Sequence, residues 1–245
     1  LEEKNFSFNL DAFTQLVNDR TRLVILNSPS NPTGGVIPLA DLQQIAAAAQ
    51  QYNCWVLSDE IYARIVYDHD SAPSIAALPG MMDRTIIVDG FSKTYAMTGW
   101  RLGFGIMAKE LADKVQLLLT HSVGCTSHFV QVAGIEALSG PQEQVDSVVA
   151  EYQHRRNVIV DGLNSMPGVI CQRRQGAFYV FPNIKSFGCT SSELANLLLD
   201  NAGVAVLPGS SFGEYGEGYL RLVYSNSIEN IELAMDGIRQ AVQFL

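Results

Sequence analysis

Residues 88–105 read VDGFSKTYAMTGWRLGFG. A β-branched run that begins at TIIV (85–88) stops here at a glycine, then at a single lysine, Lys93, among small residues. Eight positions later Arg101 follows a tryptophan and opens RLGFGIM (101–107), which again reads as a strand. The stretch is therefore a strand end, a loop and the start of the next strand. In a chain with only 17% charged residues, a lysine placed where an apolar strand ends calls for a chemical reason.

Working outward, the same pattern recurs. RLVIL (22–26) is a short apolar run halted by the turn-rich NSPSNPTGG, and CWVLSDE (54–60) reads as a buried strand ending in charge. Between them LADLQQIAAAAQQY (39–52) has apolar residues at helical spacing, as does AKELADKVQLLLT (108–120) after the last strand. Strands interleaved with helices predict an α/β layer with a mainly parallel sheet. Helices are expected over 127–138, 142–164, 191–201 and at the carboxyl end, with short strands at VICQ, AFYVFP, VAVLP and YLRLVYS. The expected organisation is a partial large α/β domain over 1–141, a long connecting helix over 142–164 and a smaller α+β domain over 165–245. So few strands in the first domain would leave a sheet edge exposed and a face partly uncovered, as in part of something larger.

Composition narrows the function. A net charge of −9 argues against a nucleic-acid partner, which needs a basic surface. No apolar run approaches the ~20 residues that span a bilayer, and LEEKNFSFNLDAF has neither the basic start nor the apolar core of a signal peptide. Cysteines 54, 125, 171 and 189 form no CxxC pair, which suits a reduced, cytoplasmic protein. The histidines show no metal-ligand spacing, so no metal is expected.

In open α/β sheets ligands bind beyond the carboxyl ends of the strands. Those ends carry Asn31 after RLVIL, Asp59 and Tyr62 after CWVL, and Ser92 and Lys93 after IIVDG, with Arg101 leading the next strand. A lysine can form a Schiff base with an aldehyde, and a carboxylate can keep a ring nitrogen protonated so that the ring accepts electrons. A phenol and an amide can share the charge of a ring oxygen, and an arginine clamps a phosphate. Together they make the inventory for pyridoxal phosphate. Taken singly each has a plainer reading: a solvated lysine, an Asp-Glu helix cap, a core tyrosine, an NPTG turn. Their succession on consecutive strand ends favours the joint reading. Nucleotide motifs fail, since Ser92 rather than glycine precedes Lys93 and GFGIM lacks a third glycine.

GFSKTYAMTGWRLG (90–103) closely resembles the cofactor-lysine signature of class I/II aminotransferases, pyridoxal-phosphate enzymes of fold type I. NSPSNPTG (27–34), SDEIY (58–62), QGAFYVFP (175–182) and VLPGSSFGEYGEGYLRLVYS (206–225) are similar to the same family, nearest its bacterial-type aspartate aminotransferase branch. The resemblance implies that Lys93 carries the cofactor and shuttles the proton, that Asp59 pairs with the pyridinium nitrogen, and that Asn31 and Tyr62 bond the ring oxygen. It implies Ser92 and Arg101 for the phosphate, Arg221 for the substrate α-carboxylate, and a cis Asn31-Pro32 peptide. Gly90 stands where some relatives have a serine that adds a phosphate hydroxyl. The expected protein is a cytoplasmic homodimer acting on an amino acid and a 2-oxo acid, of which this chain is the carboxyl-terminal part, inactive by itself. The alternatives are a β- or γ-eliminating lyase on the same fold and a non-catalytic ligand-binding domain.

Overall fold

The structure, a computed structural model, describes residues 9–68 and 71–243. They form two compact units. One holds the described residues up to Pro29 together with Val36–Asp146; the other holds Ser30–Gly35 and the described chain from Ser147 onward.

In the first unit β1 (Leu23–Asn27), β2 (Trp55–Asp59) and β3 (Thr85–Gly90) run parallel in chain order, and β4 (Gly103–Ile106) returns antiparallel to β3. This is the α/β, mainly parallel sheet that the strand and helix signals predict. A short helix that the sequence reading omitted, α1 (Leu10–Leu16), starts where the Asn9 side chain accepts the amides of Asp11 and Ala12. The longer α2 (Leu39–Gln51) turns Leu42, Ile45, Ala46 and Ala49 inward, a spacing that makes one helix face. They meet Leu26 and Val56 from the sheet in the core of this unit.

Strand alternation sends the neighbouring residues the other way. Asn27 pairs with Asp59, and Asp59 with Val88, so Leu23, Ile25, Trp55, Leu57 and Asp59 share the opposite face. That face is open: Ile25 is 69% exposed. Parallel sheets ordinarily carry helices on both faces. The next two helices, α3 (Lys109–Ser122) and α4 (His128–Ser139), are similarly bare; α3 buries none of its residues. The uncovered face and edges match the sequence expectation.

The second unit is closed. From Ser147 on, α5 (Glu143–Asn164) contributes Ile159, Val160 and Leu163; α6 (Ser191–Ala202) contributes Leu194 and Leu198; α7 (Ile228–Val242) contributes Ile231, Met235 and Ile238, all buried. A capping box between Thr190 and Glu193 starts α6, and Gly203 in the left-handed conformation ends it. The sheet is small and antiparallel, in the order β5 (Tyr179–Val180), β7 (Leu220–Val223), β6 (Leu207–Pro208). Here the sequence reading overstates the strands. VICQ makes only an isolated bridge from Ile170 to Asn183, and VAVLP contributes its last two residues. Pro182 and Pro208 offer no N–H, which limits the ladders they adjoin.

Candidate active site

Each strand end in the first unit is pinned by its own backbone. Beyond β2, the Ala63 amide donates to Glu60 O at 2.8 Å and the Ile65 amide to Tyr62 O at 2.8 Å, coiling residues 60–65 into successive turns. The Asp59 carboxylate accepts the Ile61 amide at 3.2 Å. Glu60 fixes the turn from its other side, accepting the hydroxyls of Ser58 at 2.9 Å and Ser74 at 2.6 Å. The result buries the Tyr62 ring at 3% exposure, directly after Asp59.

Beyond β3 the loop closes on Phe91. Its carbonyl accepts the amides of Tyr95 and Met97, while its buried ring lies 5.6 Å from that of Tyr95 and 5.8 Å from that of Phe104. Two non-glycine residues, Ala96 (φ 53°) and Arg101 (φ 52°), adopt left-handed backbone there. Such residues cost on the order of 1–3 kcal/mol each and gather at functional sites. Lys93 extends from this loop until its Nζ lies 5.8 Å from the centroid of the Tyr62 ring. Ser92, its neighbour in sequence, is half-buried, whereas the exposed Arg101 donates from Nη1 to Thr98 O at 3.0 Å.

Gly90 has a steric reason to be glycine. A Cβ there would stand 3.0 Å from Leu102 O and 3.1 Å from the Gly103 Cα, so a serine needs β4 to give by a few tenths of an ångström. Beside it, Asp89 has a carboxyl pushed up to about 6, chiefly by burial. The Gly90 amide works against that shift, and the charges of Glu60 and Asp59 add to it.

In the second unit the Arg221 guanidinium, carried by β7, lies 4.8 Å from the Tyr179 ring centroid and 5.0 Å from that of Phe212. Its Nη1 donates to Asn31 Oδ1 at 2.9 Å, and its buried Nε has no hydrogen-bond partner. Two aromatic faces and a fixed amide hold the fork, leaving a donor that an anion would satisfy. The sequence reading quotes Tyr179 and Phe212 within its family motifs but gives neither a part in the site, and only the fold sets them against Arg221. The Asn31-Pro32 peptide is cis, as the resemblance implies, and so is Ser28-Pro29.

The predicted residues thus fall into two sets: Asp59, Tyr62, Ser92, Lys93 and Arg101 in one unit, Asn31 and Arg221 in the other. Within the first set, an amine, a phenol and a carboxylate stand at the ends of neighbouring parallel strands. This donor set fits pyridoxal phosphate, having an amine for its aldehyde, a phenol for its ring oxygen and a carboxylate for its ring nitrogen.

Comparison with known proteins identifies the family. The family described as aminotransferase class I and II matches residues 1–238. An aspartate aminotransferase of Pyrococcus abyssi is 42% identical over 99% of this chain, and an aromatic-amino-acid aminotransferase of Thermococcus litoralis is 41% identical over 99%. Each match takes in 62% of the relative, so this chain spans less than two thirds of their length. The crystal structure of an aromatic aminotransferase from Pyrococcus horikoshii superposes with a TM-score of 0.95 at 40% identity, over 99% of this chain and 65% of that one.

Proposed function

This chain belongs to the class I and II aminotransferases, and from that premise we propose that its protein moves an amino group between an L-amino acid and a 2-oxo acid with pyridoxal 5′-phosphate. The observation that carries the reading is Lys93 Nζ poised over the Tyr62 ring, one strand from Asp59.

Each residue then has a task. Lys93 would hold the cofactor through its amine, and the same amine, when free, would serve as the base for the substrate's α-proton. Asp59 keeps the ring nitrogen protonated. Tyr62 and Asn31 hydrogen-bond the ring oxygen, and Ser92 and Arg101 bind the phosphate. Bound there, pyridoxal phosphate supplies the electron sink that accepts the pair left by the departing proton. Arg221 grips the substrate α-carboxylate, its guanidinium prevented from swinging by Tyr179, Phe212 and Asn31. On this reading residues 1–141 are the cofactor domain, 142–164 the connecting helix and 165–245 the domain that binds the carboxylate. The working protein is a cytoplasmic homodimer. Among the described residues no helix is long and apolar enough to cross a membrane.

The test uses a chimera joining this chain to the part of the Pyrococcus abyssi relative that it does not span. Given pyridoxal phosphate and aspartate or an aromatic amino acid, it should form a new amino acid only when a 2-oxo acid acceptor is present. Ammonia released at the same rate without acceptor would instead establish an eliminating lyase.

A further inference from the structure

The rings around Arg221 continue beyond the two that touch it. Between β5 and β7, Tyr179 pairs with Val223, Val180 with Leu222 and, further along, Asn183 with Tyr219. That register sets Phe181 opposite Arg221, and strand alternation puts Tyr179, Phe181, Tyr219 and Arg221 on one face. The Phe181 ring is stacked on that of Tyr219, 5.1 Å away and 7° from parallel. It also meets the Phe212 ring edge to face, at 6.2 Å and 85°. The Phe212 centroid in turn lies 5.0 Å from Cζ of Arg221. Ring pairs at these separations and angles hold one another beyond simple burial.

The segment that carries Phe212 is fixed to the same row. Tyr219 O accepts the Gly209 amide at 2.8 Å, and the Tyr219 amide donates to Gly216 O at 3.2 Å, which closes residues 209–216 into a loop. Gly209 and Gly216 approach so closely there that a Cβ on either would run into the other's backbone. Next to them the Glu217 carboxylate accepts the Ser191 amide at 2.7 Å and the Ser191 hydroxyl at 2.9 Å, tying the loop to the start of α6. Phe181 and Tyr219 are buried, whereas Phe212 is half-buried. A ring on so closed a loop turns only about its own side-chain bonds, and Phe181 is the buried ring set against it.

We propose that Phe181 is a positioning residue for the carboxylate clamp, fixing through Phe212 the plane of the Arg221 guanidinium. The proposal rests on the reading of Arg221 as the group that binds the substrate α-carboxylate. A guanidinium bonds a carboxylate best with the two groups in one plane. A tilt therefore weakens the grip and leaves the proton chemistry at Lys93 alone. Amino acid and 2-oxo acid carry the same carboxylate, so both substrates feel the tilt alike, whatever their side chains.

The experiment places Phe181→Leu in the chimera with the Pyrococcus abyssi relative. KM for the amino acid and for the 2-oxo acid should each rise about 3–10-fold, while kcat stays within about twofold. In a Phe212→Leu background, Phe181→Leu should raise neither KM further, because both changes act through one ring. A second readout needs no cofactor. With isotope-labelled arginine, the Arg221 Nε–H resonance, identified by its loss in Arg221→Lys, should lose part of its ring-current shift in Phe181→Leu. A resonance that does not move, unchanged KM values, or effects of the two variants that multiply would overturn the proposal. Phe212→Leu alters only a half-buried loop residue. Should Phe181→Leu fail to fold, a resonance and KM values unmoved by Phe212→Leu would overturn it equally. Arg221→Lys separates this proposal from the reading beneath it. An unchanged KM there would remove Arg221 from carboxylate binding, and this proposal with it. A raised KM there, beside a Phe181→Leu that changes nothing, would sink this proposal alone.

Discussion

Two helix leucines of like chemistry show how the units differ. Leu198 on α6 is 1% exposed, while Leu118 on α3 is 66% exposed. The second unit encloses its core with its own chain and clamps Arg221 between rings that it supplies itself. The first unit builds the loop that carries Lys93 with equal care, yet leaves a sheet face, both sheet edges and two helices uncovered. Local hydrogen bonding can therefore shape the Lys93 loop on a scaffold whose hydrophobic surface is largely exposed.

The largest effect should come from the loop of the less covered unit. In the chimera, Lys93→Ala should lower transamination by about 10⁴-fold or more, the upper range for losing a positioned proton carrier. Turnover within tenfold of the unaltered chimera would remove Lys93 from the mechanism. Next comes the pair of leucines. Leu198→Ala should cost about 2–5 kcal/mol in urea unfolding, while Leu118→Ala should change stability by less than about 0.5 kcal/mol in the chain alone. Equal costs at both sites in the chain alone would erase the contrast between the units.

A smaller effect probes the clamp. Arg221→Ala should raise KM for the amino acid by about 10–100-fold, the equivalent of losing a charged hydrogen-bond partner worth about 1.5–3 kcal/mol. An unchanged KM with a depressed kcat would mean that Arg221 does not bind the ground-state carboxylate. The smallest concerns Asp89. Folded, its carboxyl keeps a proton up to about pH 6, whereas in the unfolded chain it releases it near ~4. The stability tied to that proton is full below the unfolded value and is lost as pH rises through about 6. Asp89→Asn should therefore flatten the stability profile between pH 4 and 6 and make the chain more stable at pH 7. Urea midpoints that run parallel for the two proteins across that range would rule the burial account out.

The sequence made the Lys93 loop legible because its logic is local. Asp59, Tyr62 and Lys93 each lie within a few residues of a strand end, and strand ends are marked by apolar runs meeting turns. What surrounds Arg221 was not legible in the same way. Tyr179 lies far from it in the chain and Phe212 in the connection that leads to its strand, and an aromatic in AFYVFP has the pattern of a core residue until the fold brings a guanidinium against it. The short ladders around Pro182 and Pro208 were overestimated, because β-branched runs signal burial whether or not a partner strand has amides to offer. Gly90 showed the opposite limit. Its missing hydroxyl was visible in the sequence, but the close approach of Gly103 that crowds a side chain there was not. Nor did periodicity reveal α1, whose start depends on one asparagine side chain.

The most direct test of the account asks where the cofactor goes. The chimera is incubated with pyridoxal phosphate, reduced with borohydride, digested and mapped by mass. The account predicts one modified peptide, bearing the added mass on Lys93. Label at Lys109, Lys114 or Lys185 in its place, or an unmodified Lys93 in protein that has bound the cofactor, would contradict it.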